Sequence, residues 1–130
     1  MYKIEKTIYG FRLTFGGFIE KAEAEKWLAE SQQALRSVTQ SFGNLIDMRS
    51  VKPLPPDASA VIQKGQELYK QAGMRRSCVI LESQVVAMQF KRIAKSSGIY
   101  NHERYLAADT TPDWEKKALG WIVNGIDPDL

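Results

Sequence analysis

Apolar and polar residues alternate at the start of the chain, and the pattern then becomes more continuous in several short runs. Alternation over two segments separated by Tyr9-Gly10 is typical of a β-hairpin. Two later runs are apolar at nearly every position, as in strands covered on both faces of a parallel sheet. The predicted strands are Tyr2 to Ile8, Phe11 to Phe15, Phe42 to Met48, Ser77 to Leu81 and Arg104 to Ala108.

Between these strands, apolar residues recur at helical spacing and predict four amphipathic helices. The first begins at Glu20. Asp57, Ser83 and the run Thr111-Pro112-Asp113 are N-cap signals for the other three, and a glycine that tolerates positive φ follows each of those helices. The last helix carries a stripe that predicts burial of Trp121 against the sheet. These predicted helices run from Glu20, from Ala58 to Ala72, from Gln84 to Ser97, and from Thr111 to Gly125.

The predicted order is ββαβαβαβα, which is an α/β fold with a mixed, mostly parallel sheet in a single domain spanning residues 1–130. Right-handed crossovers between sequential neighbours place their helices on one face of the sheet. The other face then needs cover. Two interpretations stay open: the hairpin folds over that face, or a second copy covers it in a homodimer.

Composition narrows the function classes. The net charge of +3 is spread along the chain, which gives no support to nucleic acid binding. No window is apolar enough for a membrane span, and the first ten residues lack the apolar core of a signal peptide. The single cysteine, Cys78, lies in an apolar run typical of an inert strand residue and fits a reducing compartment. We expect a cytoplasmic protein with no integral membrane contact.

The residues offer little for catalysis. His102 is the only histidine and lies in a polar loop, so neither a metal cluster nor a Cys-His pair close in sequence is indicated. The glycines form no phosphate-binding motif. We therefore expect no metal, no cofactor and no enzymatic activity.

Asp47 is an acid in an otherwise apolar strand, and it requires a partner or a place at the strand's end. Arg49, Arg92 and Arg104 are the candidate partners. A structural ion pair is the simplest interpretation.

Several stretches together resemble the STAS superfamily, the domains of anti-sigma-factor antagonists and of sulfate transporter tails. They are Gly17-Phe18-Ile19, Leu45 to Val51, Asp57 to Ser59, Cys78 to Leu81 and Ala118 to Ile122, and they span nearly the whole chain. The resemblance implies a small, non-enzymatic bacterial domain that docks to a protein partner. Related bacterial STAS-like domains are similar in fold to Sec14 domains and imply an alternative function, the binding of a small apolar or lipid ligand.

One motif departs from the family. Antagonists carry a phosphorylatable serine in an Asp-Ser-(Ser/Thr)-Gly run, where this chain has Asp57-Ala58-Ser59-Ala60. Ser59 is displaced by one residue and the glycine is missing, so we predict that Ser59 is not a regulatory phosphosite. The candidate binding residues from the sequence are Asp47, Arg49, Asp57, Ser59 and Arg92.

Overall fold

The computed structural model describes all residues from Met1 to Leu130. Its elements follow the predicted order, with a short 3-10 turn at Tyr100–His102 before the last strand. The strands are β1 (Tyr2–Lys6), β2 (Gly10–Gly17), β3 (Phe42–Val51), β4 (Met74–Leu81) and β5 (Glu103–Ala107). The helices are α1 (Lys21–Leu35), α2 (Pro56–Gln71), α3 (Gln84–Ser97) and α4 (Trp114–Asn124).

The five strands form one sheet in the order β1-β2-β3-β4-β5. β1 pairs antiparallel with β2, and every later pair is parallel. The hairpin therefore extends the sheet and does not fold over it as a lid. The predicted α/β class and the mixed, mostly parallel sheet are confirmed.

Helices cover both faces of the sheet. α1, α2 and α3 pack on one face, where the larger apolar core includes Phe11, Ile46 and Val79. This follows from the handedness of crossovers that connect sequential parallel strands. α4 packs on the other face through Trp121 and a smaller core.

α4 thus covers the second face of the sheet. The sequence pattern predicted the hairpin or a second copy of the chain in this role. No parallel strand follows β5, so the crossover rule does not constrain α4, and its apolar stripe can turn to the open face. Ala118, Trp121 and Ile122 on that stripe are all buried, as predicted. The uncovered face that motivated the homodimer is therefore absent.

Two predicted helix starts are wrong. α2 begins at Pro56 with Pro55 as its N-cap, and Asp57 lies inside the first turn, where its Oδ1 accepts a 2.8 Å hydrogen bond from the Ala58 amide. Proline is pre-set for the first helical positions, so it displaces Asp57 from the cap. α4 begins at Trp114 with Asp113 as its N-cap, after a turn at Pro112-Asp113. The Ser83 cap is confirmed, because its Oγ accepts from the Val86 amide at 3.2 Å.

None of the four helices combines the length and the apolar character needed to cross a bilayer.

Candidate functional site

The carboxyl ends of β2, β3 and β4 meet at one edge of the sheet, and the segments that follow them form the most promising surface. Ligand sites in open α/β folds commonly lie at this edge. Phe18 follows β2, residues 52–55 follow β3, and Val85 lies in the first turn of α3, the helix after β4. Strand neighbours in this sheet are also chain neighbours, so the three segments lie side by side.

Hydrogen bonds join these three segments. The Lys52 amide donates to the Gly17 carbonyl at 2.9 Å and ties the loop after β3 to the end of β2. Gln89 on α3 holds Leu54 from the other side: its Oε1 accepts from the Leu54 amide at 2.8 Å, and its Nε2 donates to the Leu54 carbonyl at 2.7 Å. A backbone unit clamped at both groups is fixed relative to α3. Sequence reasoning missed Gln89, since glutamine on a helix carries no signal of a tertiary contact.

Three large apolar side chains stand out from this clamped edge. Phe18 is 77% exposed, Val85 is 62% exposed and Met88 is 71% exposed. Val85 and Met88 are three residues apart on the first turns of α3 and so lie on one side of it. Met88 therefore lies outside the core. We call Phe18, Val85 and Met88, with the loop at residues 52–55, the carboxyl-edge surface.

Asp47 and Arg49 do meet, at the end of β3 on the α4 side of the sheet. The Asp47 carboxylate accepts from the Arg49 amide at 3.1 Å, from Arg49 Nε at 3.0 Å and from Arg49 Nη2 at 2.9 Å. Arg12 Nη2 lies 3.6 Å from the same carboxylate, and Arg12 Nη1 lies 3.4 Å from Glu115 on α4. The Arg49 guanidinium also stacks 4.8 Å from the ring centre of Trp114. This network fastens α4 to the sheet.

The electrostatics of Asp47 agree with a structural ion pair. Burial alone would raise the pKa of Asp47, but the hydrogen bonds from Arg49 and the charges of Arg49 and Arg12 together lower it. Arg104, proposed as a partner, instead pairs with Asp127 at 2.9 Å. Arg92 lies on α3, on the other side of the sheet. Two of the three proposed partners are therefore wrong: Arg92 lies on the opposite face of the sheet from Asp47, and Arg104 lies on the same face but on β5, with β4 between them.

Ser59 and Arg92 do come together, in a polar groove of about 380 Å³ between α2 and α3. Ser59 is half-buried there, and Gln89 Nε2 lies 3.5 Å from its hydroxyl. Asp57 lies exposed in the first turn of α2. The five residues proposed from the sequence thus divide between two places on opposite faces of the sheet, and they do not form one site.

A buried acid that sequence reasoning missed lies at the start of β5. Glu103 is 2% exposed. Its carboxylate accepts from Ser77 Oγ at 2.7 Å and from Tyr105 Oη at 2.6 Å. Burial raises the pKa of Glu103 to about 7, although both hydrogen bonds act to lower it. The last predicted strand began at Arg104, one residue too late, so Glu103 was left outside the sheet, where it in fact pairs with Ser77 of β4.

The single cysteine is buried, whereas the single histidine is exposed. Cys78 is fully buried, and burial raises the pKa of its thiol to about 12, so the prediction of an unreactive strand residue holds. His102 is exposed in the 3-10 turn.

Comparisons with known proteins bear on the fold. The chain matches no protein-family model and no curated protein sequence. It is similar to a solved structure described as an uncharacterized protein from the DUF3478 family with a SpoIIAA-like fold, from Shewanella loihica PV-4. That match has a TM-score of 0.62 and 16% sequence identity, and it covers 94% of this chain and 92% of the other. At this identity the likeness speaks for the fold alone. The chain therefore has a SpoIIAA-like fold, which confirms the STAS-like fold expected from its sequence.

Proposed function

We propose that this protein is a non-enzymatic STAS-like module that binds a protein partner through the carboxyl-edge surface. The observation that carries the proposal is the exposure of Phe18, Val85 and Met88 around a loop that hydrogen bonds hold in place. Aromatic residues and methionine are enriched in protein interfaces and depleted elsewhere on surfaces. Methionine also adapts its shape to a partner.

The rigidity of the surface supports the same function. A surface that is already ordered before binding loses less conformational entropy on association. Residues 52–55 are tied to β2 on one side and to α3 on the other, so Phe18 and Met88 project from a fixed platform. Phe18 is the best candidate for a binding hot spot, because large aromatic anchors dominate interface energies.

The experiment compares partners captured from the native cell by three forms of the protein. The Phe18→Ser/Met88→Ser variant removes two apolar side chains of the surface. Ile8→Ser is the matched control, because Ile8 is fully exposed in the hairpin turn, away from this edge. We expect a protein that the parent and the control capture equally and the double variant loses. Equal capture by all three forms would contradict the proposal.

A small apolar or lipid ligand is the second candidate function, and one observation favours it. A groove of about 700 Å³ runs between α4 and the C-terminal tail, and Val123, Ile126 and Leu130 contribute exposed apolar side chains to it. The cavity within the larger core is only about 20 Å³, too small for more than a water molecule. A lipid would therefore lie in the open groove. Native mass spectrometry under gentle and denaturing conditions separates this function from the first, because a retained ligand adds mass only to the gentle spectrum.

A further inference from the structure

A basic cavity opens at the end of the sheet opposite the carboxyl-edge surface. It has a volume of about 440 Å³ and lies where β4 begins and where α2 and α3 end. Four cationic or titratable side chains line it, and its apolar lining is the half-buried Met74 with the almost completely buried Ile99 and Trp121. The four are Lys70, Arg75, Arg76 and His102.

An irregularity in the sheet brings two consecutive arginines to the same cavity. Along a regular strand, Arg75 and Arg76 would point to opposite faces. The pairing of β3 with β4 runs from Phe42 with Met74 directly to Gly43 with Arg76, so Arg75 is skipped. Such bulges redirect side chains and are frequent next to binding sites. Both arginines therefore line the cavity.

The positive charge in the cavity is not neutralised by acidic side chains. No carboxylate lines it, and none of the four residues takes part in a salt bridge. Glu103 does not line the cavity, but it accepts a hydrogen bond from the hydroxyl of Ser77, which does. The helix ends contribute about half a negative charge each, which offsets only part of three full positive charges.

Capping of helix ends accounts for some of these cations but not for all of them. Arg76 Nε donates to the Ile122 carbonyl at 3.2 Å and Arg76 Nη2 donates to the Val123 carbonyl at 3.3 Å, at the end of α4. Lys70 Nζ lies 3.4 Å from the Gly98 carbonyl at the end of α3. Arg75 has no such partner. The contacts of Arg76, together with its stacking 5.8 Å from the Trp121 ring centre, hold its guanidinium in place and leave Nη1 available.

We propose that this cavity binds the phosphate group of a small organic molecule. A phosphate dianion offers several acceptor oxygens and the charge that three cations balance. Arg75 is well suited to it, because its planar guanidinium can donate two parallel hydrogen bonds. Arg76, whose Nε and Nη2 donate to the end of α4, adds its positive charge and Nη1. The volume lies within the range of small-molecule sites.

Phenyl phosphate is the probe, and calorimetric titration at low ionic strength is the measurement. Arg75→Ala and Lys70→Ala each remove one cation from the cavity. Lys64→Ala is the matched control, because it removes the same charge from an exposed position on the same helix as Lys70. We expect the parent and the control to bind equally and each cavity variant to bind about tenfold more weakly. Circular dichroism of each variant verifies that it is folded.

A second arm distinguishes a free phosphate from a lipid headgroup. Phosphatidylcholine vesicles that contain phosphatidic acid are sedimented with the parent and with each variant. Binding of phenyl phosphate supports a free ligand, and binding of the vesicles alone supports a headgroup, provided that Arg75→Ala weakens it and Lys64→Ala does not. Absence of binding in both arms, or equal weakening by the control, would overturn the proposal. Neither arm depends on the protein partner at the carboxyl edge.

Discussion

The buried Glu103 makes the stability of the folded protein depend on pH in a direction that can be worked out. Its pKa rises from an ordinary 4.5 to about 7 on folding, because burial penalises the charged carboxylate. Between these two values the folded protein keeps a proton that the unfolded chain releases. The free energy of unfolding therefore falls as the pH rises from 4.5 to about 7.

The size of the effect follows from the same two values. Stability that is fully present below pH 4.5 is lost by about pH 7, and the difference corresponds to about 3 kcal/mol. Glu103→Gln should remove this loss, because the amide stays neutral at every pH. It can also keep both hydrogen bonds, since the hydroxyls of Ser77 and Tyr105 can each rotate to donate or accept.

Urea unfolding of the parent and of Glu103→Gln across this pH range is the assay. As the pH rises, we expect the free energy of unfolding of the variant to increase relative to that of the parent. The relative increase should reach about 3 kcal/mol once the pH exceeds about 7. Taking the difference between the two proteins cancels groups that titrate in both. Glu25→Gln, which removes a charge from an exposed position, is the matched control. Parallel curves for the parent and Glu103→Gln would refute the reasoning.

Four further predictions concern other parts of the molecule. Trp121→Ala should lower the free energy of unfolding by about 3–5 kcal/mol, because the side chain is 8% exposed and its indole donates to the Ser77 carbonyl at 3.0 Å; an unchanged urea midpoint would show that α4 is placed wrongly. Asp47→Asn should lower the free energy of unfolding, measured in urea, by about 1–3 kcal/mol. The exposed Asp113→Asn control should lower it by about 0.5 kcal/mol or less. Because folding lowers the pKa of Asp47, the stability that its carboxylate contributes should be present above the ordinary pKa of 3.8 and vanish as the pH falls through the lower folded value. The intact mass of protein from its native cell should show no phosphate on Ser59, and a stoichiometric phosphate there would restore an antagonist-like switch. The homodimer stays a proposal that sedimentation equilibrium at micromolar concentrations tests, and a monomeric mass throughout would contradict it.

The order of elements followed from the sequence because it depends on local patterns. The alternation of the hairpin, the apolar runs of β3 and β4 and the glycines that end three helices are each contained within a few residues. The cover on the second face was misjudged, although the apolar stripe of α4 was already visible in the sequence. The error came from treating every helix as a crossover, which the last helix of the chain is not.

The contacts within the sites depended on information that the sequence does not contain. Asp47 pairs with Arg49 and Arg12 and not with Arg92 and Arg104. The difference depends on the face and the end of the sheet at which each arginine lies. Gln89 and Glu103 acquired their roles through partners that lie between 26 and 35 residues away along the chain. The basic cavity depends on the bulge at Arg75, which is skipped in the pairing of β4 with β3. No local sequence pattern predicts this bulge.

The position of α4 after all five strands has a consequence for biosynthesis. A ribosome delivers the strands and the first three helices before α4, so the sheet and one of its helical layers can assemble first. Until α4 emerges, Leu45, Cys78, Ile80 and Leu106 lie on a face that has no cover. An exposed apolar face of this kind is a target for chaperones and a hazard for aggregation. The nascent sheet is therefore most vulnerable just before α4 docks.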